Sequence, residues 1–239
     1  MMRSNARVCA IHQPNFFPWL GYFDKIVRAD VFVLLDDVQY QKTGGNWTNR
    51  VQMMIGPASK WVTAPVDRSY SGVRRIREIR FSPVEKDWRE KMCRTIVSAY
   101  GRAPHFREIF PLIESLVMYR HDFLAEYNIN AIKSLCRELG IPEHKLVNSS
   151  VFDLASVSTD LLVDLTRAVG AGVYLCGGGA ASYQEDHKFA DSGIALEYQN
   201  FRHPVYPQHG RIEFTPGMSM LDALMETGMA GTRTLLGMA

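Results

Sequence analysis

The spacing of hydrophobic positions changes along the chain, and each change marks an element. Val8 to Ile11 is a short unbroken apolar run, and Val31 to Leu35 is a clearer one; both fit strands buried on two faces. Between them Pro14 stops the first run. Pro18 suits the opening turn of a helix, where its missing N–H would have no partner anyway. Phe23, Ile26 and Val27 then share one apolar face, which leaves Lys25 and Arg28 expected toward solvent. Strand, loop, helix and strand within about 30 residues predict a βαβ unit with parallel strands.

The stretch from Asp36 to Arg50 is polar and glycine-bearing, and is expected to be an ordered functional loop. Lys60 to Val66 and Ile76 to Phe81 read as two more strands, joined by a turn through Asp67 to Gly72. Helical spacing follows. Trp88, Met92, Ile96 and Tyr100 recur every fourth residue, Pro111 to Tyr119 continues, and Ile129, Ile132, Leu135, Cys136 and Leu139 form a stripe ended by Gly140 and Pro142. A second α/β run has strands at Lys145 to Val147, Val173 to Cys176 and Ile194 to Tyr198. Helices are expected at Asp160 to Val169, Ser182 to Ala190 and Met220 to Thr227. The alternation predicts one α/β domain over residues 1–239. Its sheet is parallel or mostly parallel with flanking helices, Rossmann-like or nucleotidyltransferase-like, with a mainly helical insertion at about 86–140.

Composition narrows the classes only a little. The 239 residues are 46% hydrophobic and 22% charged, ordinary for a folded domain, and the formal charge of +2 gives no reason to expect DNA as a partner. The tightest basic cluster, Arg74, Arg75, Arg77 and Arg80, alternates with Val73, Ile76 and Ile79 and reads as the solvated face of a strand. Cys9, Cys93, Cys136 and Cys176 have no metal-like spacing and suit a reducing compartment. With no secretory or membrane-length apolar run, the expectation is a soluble, cytoplasmic protein without a membrane span or metal.

Four places could carry chemistry. His12, Gln13 and Asn15 leave the first strand where open parallel sheets bind ligands, and the amides opening the Trp19 helix offer an anion site. The competing reading makes Phe16, Phe17, Trp19 and Tyr22 the helix's aromatic underside. Asp36 and Asp37 end the second strand, placed to bind a metal, to serve as a base, or merely to close a turn. Trp47, Asn49 and Arg50, with Lys42 nearby, combine a stacking face with planar donors for a sugar or phosphate. Gly177, Gly178 and Gly179 could turn backbone amides toward a phosphate or form a tight packing turn. Ser219 and Asp222 look like two members of a triad but read better as a helix capping box.

Taken together, AIHQPNFFPWLGYFDKIVRADVFVLLDDVQYQK, NWTNRVQMM, YLCGGGAASYQEDHKF, IALEYQNF, YPQHG and FTPGMSMLDALMETG resemble the WbqC-like family from about residue 8 to 228. The resemblance implies bacterial surface-polysaccharide and O-antigen (lipopolysaccharide) synthesis, with a glycyl-like transfer to an amino sugar. It directs attention to Gln13, Pro14, Trp19, Gly21, Tyr22, Asp37, Trp47, Asn49, Arg50, Gly177, Tyr183, Tyr206 and Gln208, while the Gly44-Gly45 step departs from the family's spacing near Lys42.

Three functions follow as expectations. The first is an acyl- or aminoacyltransferase whose partners are a nucleotide-linked amino sugar and an activated donor. In it Asp37 or His12, with Asp36 beside them, supplies the base, and Gly178 and Gly179 face the oxyanion. The second is a nucleotidyltransferase or adenylate-forming enzyme with a degenerate HxGH-like site, because Trp19-Leu20-Gly21-Tyr22 has aromatics at both histidine positions. The third is a non-catalytic nucleotide-sugar-binding protein.

Overall fold

A computed structural model describes residues 6–43, 47–178 and 184–238. Its centre is a sheet of five parallel strands: β1 (Val8–His12), β2 (Val31–Leu34), β5 (Leu146–Asn148), β6 (Val173–Cys176) and β7 (Ala195–Tyr198). Their order across the sheet is β5-β2-β1-β6-β7. Every residue of β2 and β6 is buried, which explains why these strands read as unbroken apolar runs.

Alternate residues serve opposite layers. Ala10, Phe32, Leu34 and Leu175 face one core, shared with α1 (Leu20–Arg28), α4 (Leu124–Glu138) and α7 (Met220–Leu235). Cys9, Ile11, Val31, Val33, Tyr174 and Cys176 face the other, under α5 (Ser158–Ala168) and Phe189 of α6 (His187–Asp191). The chain winds outward from β1 through β2 to β5, then returns to the far side of β1 for β6 and β7. The strand order therefore reverses between β1 and β6, and at such a switch point the loops on either side diverge and leave a crevice.

Between β2 and α4 lie a two-stranded antiparallel sheet and two helices, α2 (Trp88–Tyr100) and α3 (Phe106–Met118). The sheet corrects the expected strands. It pairs β3 (Arg50–Ile55) with β4 (Ala58–Thr63) through Gly56-Pro57, and Gly56 has φ +63°, the left-handed geometry a two-residue hairpin turn needs. Ile76–Glu78 is one turn of 3-10 helix rather than a strand, and only isolated bridges, Val66 to Phe81 among them, mark the second expected pairing. The arginine cluster is also not a solvated strand face, because Arg75 and Arg77 both reach Asp37.

The loop from Gln13 to Trp19 is fixed from several directions. Asn128 on α4 donates to the carbonyls of Pro14 (2.8 Å) and Thr48 (2.6 Å), and the Phe16 amide donates to the carbonyl of Trp47 (2.9 Å). At the start of α7, Ser219 Oγ donates to the Phe17 carbonyl (2.8 Å) and the Met220 amide to the Pro18 carbonyl (2.8 Å). Phe17 is held at φ +41°, a backbone region that costs a bulky residue about 1–3 kcal/mol and persists only where neighbours impose it.

Candidate functional site

At the switch point the structure opens a cavity of about 510 Å3. The end of β1 contributes Ile11 and His12, and α1 contributes Trp19, Gly21, Tyr22 and Lys25. Tyr174, Gly177 and Gly178 come from β6 and its exit, with Gln199, Asn200 and Phe201 following β7. Gly21 and Lys25 stand four residues apart, hence on one helix face, and that face looks into the crevice. No side chain caps the amino end of α1.

Each polar group here has a definite state. His12 Nδ1 lies 3.2 Å from the Gln13 carbonyl, so the ring proton sits on Nδ1 and Nε2 keeps its lone pair. Burial and, after it, the charge of Lys25 push the imidazole down to about 3, so it is neutral at physiological pH. Tyr22 packs edge-on to His12 (4.9 Å) and donates its hydroxyl to the same Gln13 carbonyl (3.1 Å), fixing the imidazole from the side. The Trp19 indole lies against the backbone of Gly21, where any Cβ would overlap the ring; Phe201 and His203 pack around it at 5.3 and 5.2 Å. Gln199 donates to the Gly21 carbonyl (2.6 Å) and to Asp24 Oδ2 (2.7 Å), tying α1 to the exit of β7.

Lys25 overturns its expected place toward solvent. It is 3% exposed, and its ammonium donates to the Ile11 carbonyl at 3.2 Å. Burial pushes it down to about 8; the Cys176 and Cys9 sulfurs would oppose this only once ionised. A one-face helical pattern cannot tell solvent from a crevice; the i, i+4 pairing with Gly21 was the available signal. Gln199 and Asn200, the latter at φ +47°, were likewise not singled out.

The segments that begin at His12, Asp36 and Gly177 leave the same carboxyl-terminal rim, but not all reach the cavity. Of the expected residues, His12, Trp19, Tyr22, Gly177 and Gly178 line it. Asp36, 1% exposed, accepts from Ser149 Oγ (2.9 Å), the Ser150 amide (2.9 Å) and Ser150 Oγ (2.7 Å), pinning the exit of β5 to that of β2. Asp37 is not in the lining; both its oxygens are 2.9 Å from Arg75 Nη1 and Oδ1 is 2.7 Å from Arg77 Nε. Gln13 is half-buried beside His12 without belonging to the lining.

The remaining expected donors lie elsewhere. Asn49 is buried and donates to the Ala64 carbonyl (3.1 Å), joining the two ends of the hairpin. Arg50 lays its guanidinium over Trp61 (4.2 Å), and Trp61 meets Trp47 edge-on at 4.8 Å. Lys42 donates to the Tyr70 carbonyl (2.7 Å) and covers its ring. Gln208 is consumed by Asp222 (2.8 Å) and by the amide and carbonyl of Thr215. Gly179 and Tyr183 lie outside the described residues. Ser219 does cap α7, accepting from the Leu221 amide, but Asp222 does not reach back to complete a capping box. No group of three or more His, Cys, Asp or Glu among the described residues could hold a metal ion.

Comparison with known proteins gives this crevice a family. The model of the WbqC-like protein family matches residues 13–234. The chain belongs to the WbqC-like family. A member from Mycobacterium tuberculosis (strain ATCC 25618 / H37Rv), bearing the description "Uncharacterized protein Rv1507c", is 31% identical over 222 residues, covering 92% of this chain and 93% of that one. No solved structure matches. Among the described residues, no helix of this WbqC-like chain is long and apolar enough to cross a membrane.

Proposed function

We propose that this WbqC-like chain is a transferase of surface-polysaccharide synthesis. It passes an acyl or aminoacyl group, glycyl-like, to the amine of a nucleotide-linked amino sugar held in the switch-point cavity. The observation that carries the reading is the cavity itself. It has a neutral imidazole with a free lone pair, an indole face and a glycine turn at the place where doubly wound sheets take nucleotides. Family membership supplies the polysaccharide context.

In this reading the amine nitrogen attacks the donor's carbonyl carbon and a C–N bond forms. His12 Nε2 takes the nitrogen's proton, and the bond to the leaving group breaks with its electron pair departing. His12 is a weak base while Lys25 stands beside it uncompensated; a negatively charged ligand removes that second cause of its depression and raises its basicity. In this reading the amide of Gly178, which lines the cavity, donates to the developing oxyanion. Asp37 is assigned to its two arginines, not to the reaction.

The nucleotidyltransferase alternative draws less support. Its two histidine positions are Trp19, packed on Gly21, and Tyr22, whose hydroxyl is spent on Gln13. The test of the main reading is mass spectrometry of UDP- and dTDP-linked amino sugars incubated with glycyl and acyl thioester donors. One acyl mass should be added in wild type, and His12→Gln should lose about 10²- to 10⁴-fold in rate while still binding the acceptor in a thermal shift. Binding of every nucleotide sugar without turnover would favour the non-catalytic reading, and no binding at all would end both.

A further inference from the structure

We infer that Lys25 is the fixed charge of a phosphate subsite in the cavity, and that its natural counter-ion arrives with the ligand. The inference stands apart from the transferase reading, because it concerns binding and holds whichever reaction follows.

The ammonium is buried at the cavity wall, and among the described residues no carboxylate pairs with it. Its hydrogen-bond partner is a backbone carbonyl, Ile11. The neighbouring carboxylate, Asp24, is taken by Gln199 at 2.7 Å and by Arg28 at 3.6 Å. From β1 the ionisable groups near Lys25 are His12 and Cys9, and from β6 they are Cys176 and Tyr174. His12 is neutral, and burial raises both thiols, Cys9 to about 12. Neither strand supplies a negative charge. A lone buried ammonium is unfavourable, and it is tolerated where a ligand completes the pair.

The surroundings favour phosphate over a smaller anion. Lys25 Nζ lies close to Gly177, where an added Cβ would come within 3.9 Å of it, and an added Cβ on Gly178 meets no atom of the described residues within 4 Å. A tetrahedral group can therefore approach the turn closely. The same helix, α1, has no side-chain cap at its amino end, and Trp19 brings its indole to the lining.

The probe is inorganic pyrophosphate, titrated calorimetrically at constant ionic strength into wild type and Lys25→Met, with acetate as control. Wild type should bind pyrophosphate in preference to acetate, and Lys25→Met should bind it at least tenfold more weakly. Without ligand, the variant should melt at or above the wild-type temperature. Wild-type affinity should fall severalfold between pH 7 and pH 9.5, as the ammonium loses its proton. In wild type alone, pyrophosphate should shield Lys25 from reductive methylation, read by peptide mass spectrometry, so the idea stays testable if the variant misfolds. Equal binding by the variant, equal preference for acetate, or unprotected Lys25 would overturn it. Pyrophosphate binding without acyl turnover would leave the subsite standing while the transferase reading falls.

Discussion

Two buried charges in this molecule sit in opposite circumstances. Asp222, on α7, is fully buried and accepts from Tyr100 (2.9 Å), Tyr206 (2.7 Å) and Gln208 (2.8 Å), three neutral donors converging on one carboxylate. Lys25, on α1, is almost as deeply buried, yet it holds one carbonyl and faces a cavity. The Asp222 cluster needs nothing from outside and ties the 206–208 segment, α2 and α7 into one core. Among the described residues, Lys25 has that carbonyl but no counter-charge. Satisfaction marks scaffold, and its absence beside open space marks a binding site.

The comparison can be broken by mutation. The largest effect is expected at the satisfied charge: Asp222→Ala strands two tyrosine hydroxyls and an amide, and should lower unfolding stability by roughly 3–5 kcal/mol in a urea titration. A loss below about 1 kcal/mol would remove Asp222 as the hub of that core.

At Lys25 the sign reverses. Its ammonium falls from the ordinary 10.5 to about 8 on folding, so between those pH values the unfolded chain binds more protons and wild-type stability rises with pH. Below pH 8 the penalty is fully present, on the order of 3 kcal/mol, and Lys25→Met should recover part of it. The wild-type deficit against the variant should then shrink as pH climbs from 8 toward 10.5. The measurement is this difference, because Cys9 and several buried tyrosines, all raised, pull absolute stability the other way at high pH.

His12 behaves alike on the acid side. Its imidazole is depressed from 6.5 to about 3, so stability is lost as pH falls through that window, and His12→Gln should flatten that part of the acid-unfolding curve. The smallest effect is expected at Asp37. Its partners Arg75 and Arg77 are half exposed, so Asp37→Asn should cost less than about 1 kcal/mol and leave turnover unchanged. Abolished turnover in a stable Asp37→Asn protein would return the base to Asp37 and take it from His12.

These contrasts also explain what could be read from the chain. Local periodicity carried the parallel strands and the helices between Trp88 and Glu138, since each is decided by its own neighbours. Gly56-Pro57, directly after the apolar run Met53-Met54-Ile55, was a legible hairpin signal that went unused. The fates of Asp36 and Gln208 depended on partners that pattern does not reveal: Ser149 lies 113 positions from Asp36, and Asp222 lies 14 from Gln208. Lys25 was misplaced because a helix beside a switch point has two inward faces, one toward the sheet and one toward the crevice.

The clamp of Ser219 and Met220 on the carbonyls of Phe17 and Pro18 has a consequence for biosynthesis. Nascent chain enters the world from its amino end, so the turn ahead of α1 waits for some 200 later residues before its last restraints arrive. Ribosome-held chains stopped short of residue 219 should leave that turn open to proteases that the finished molecule resists.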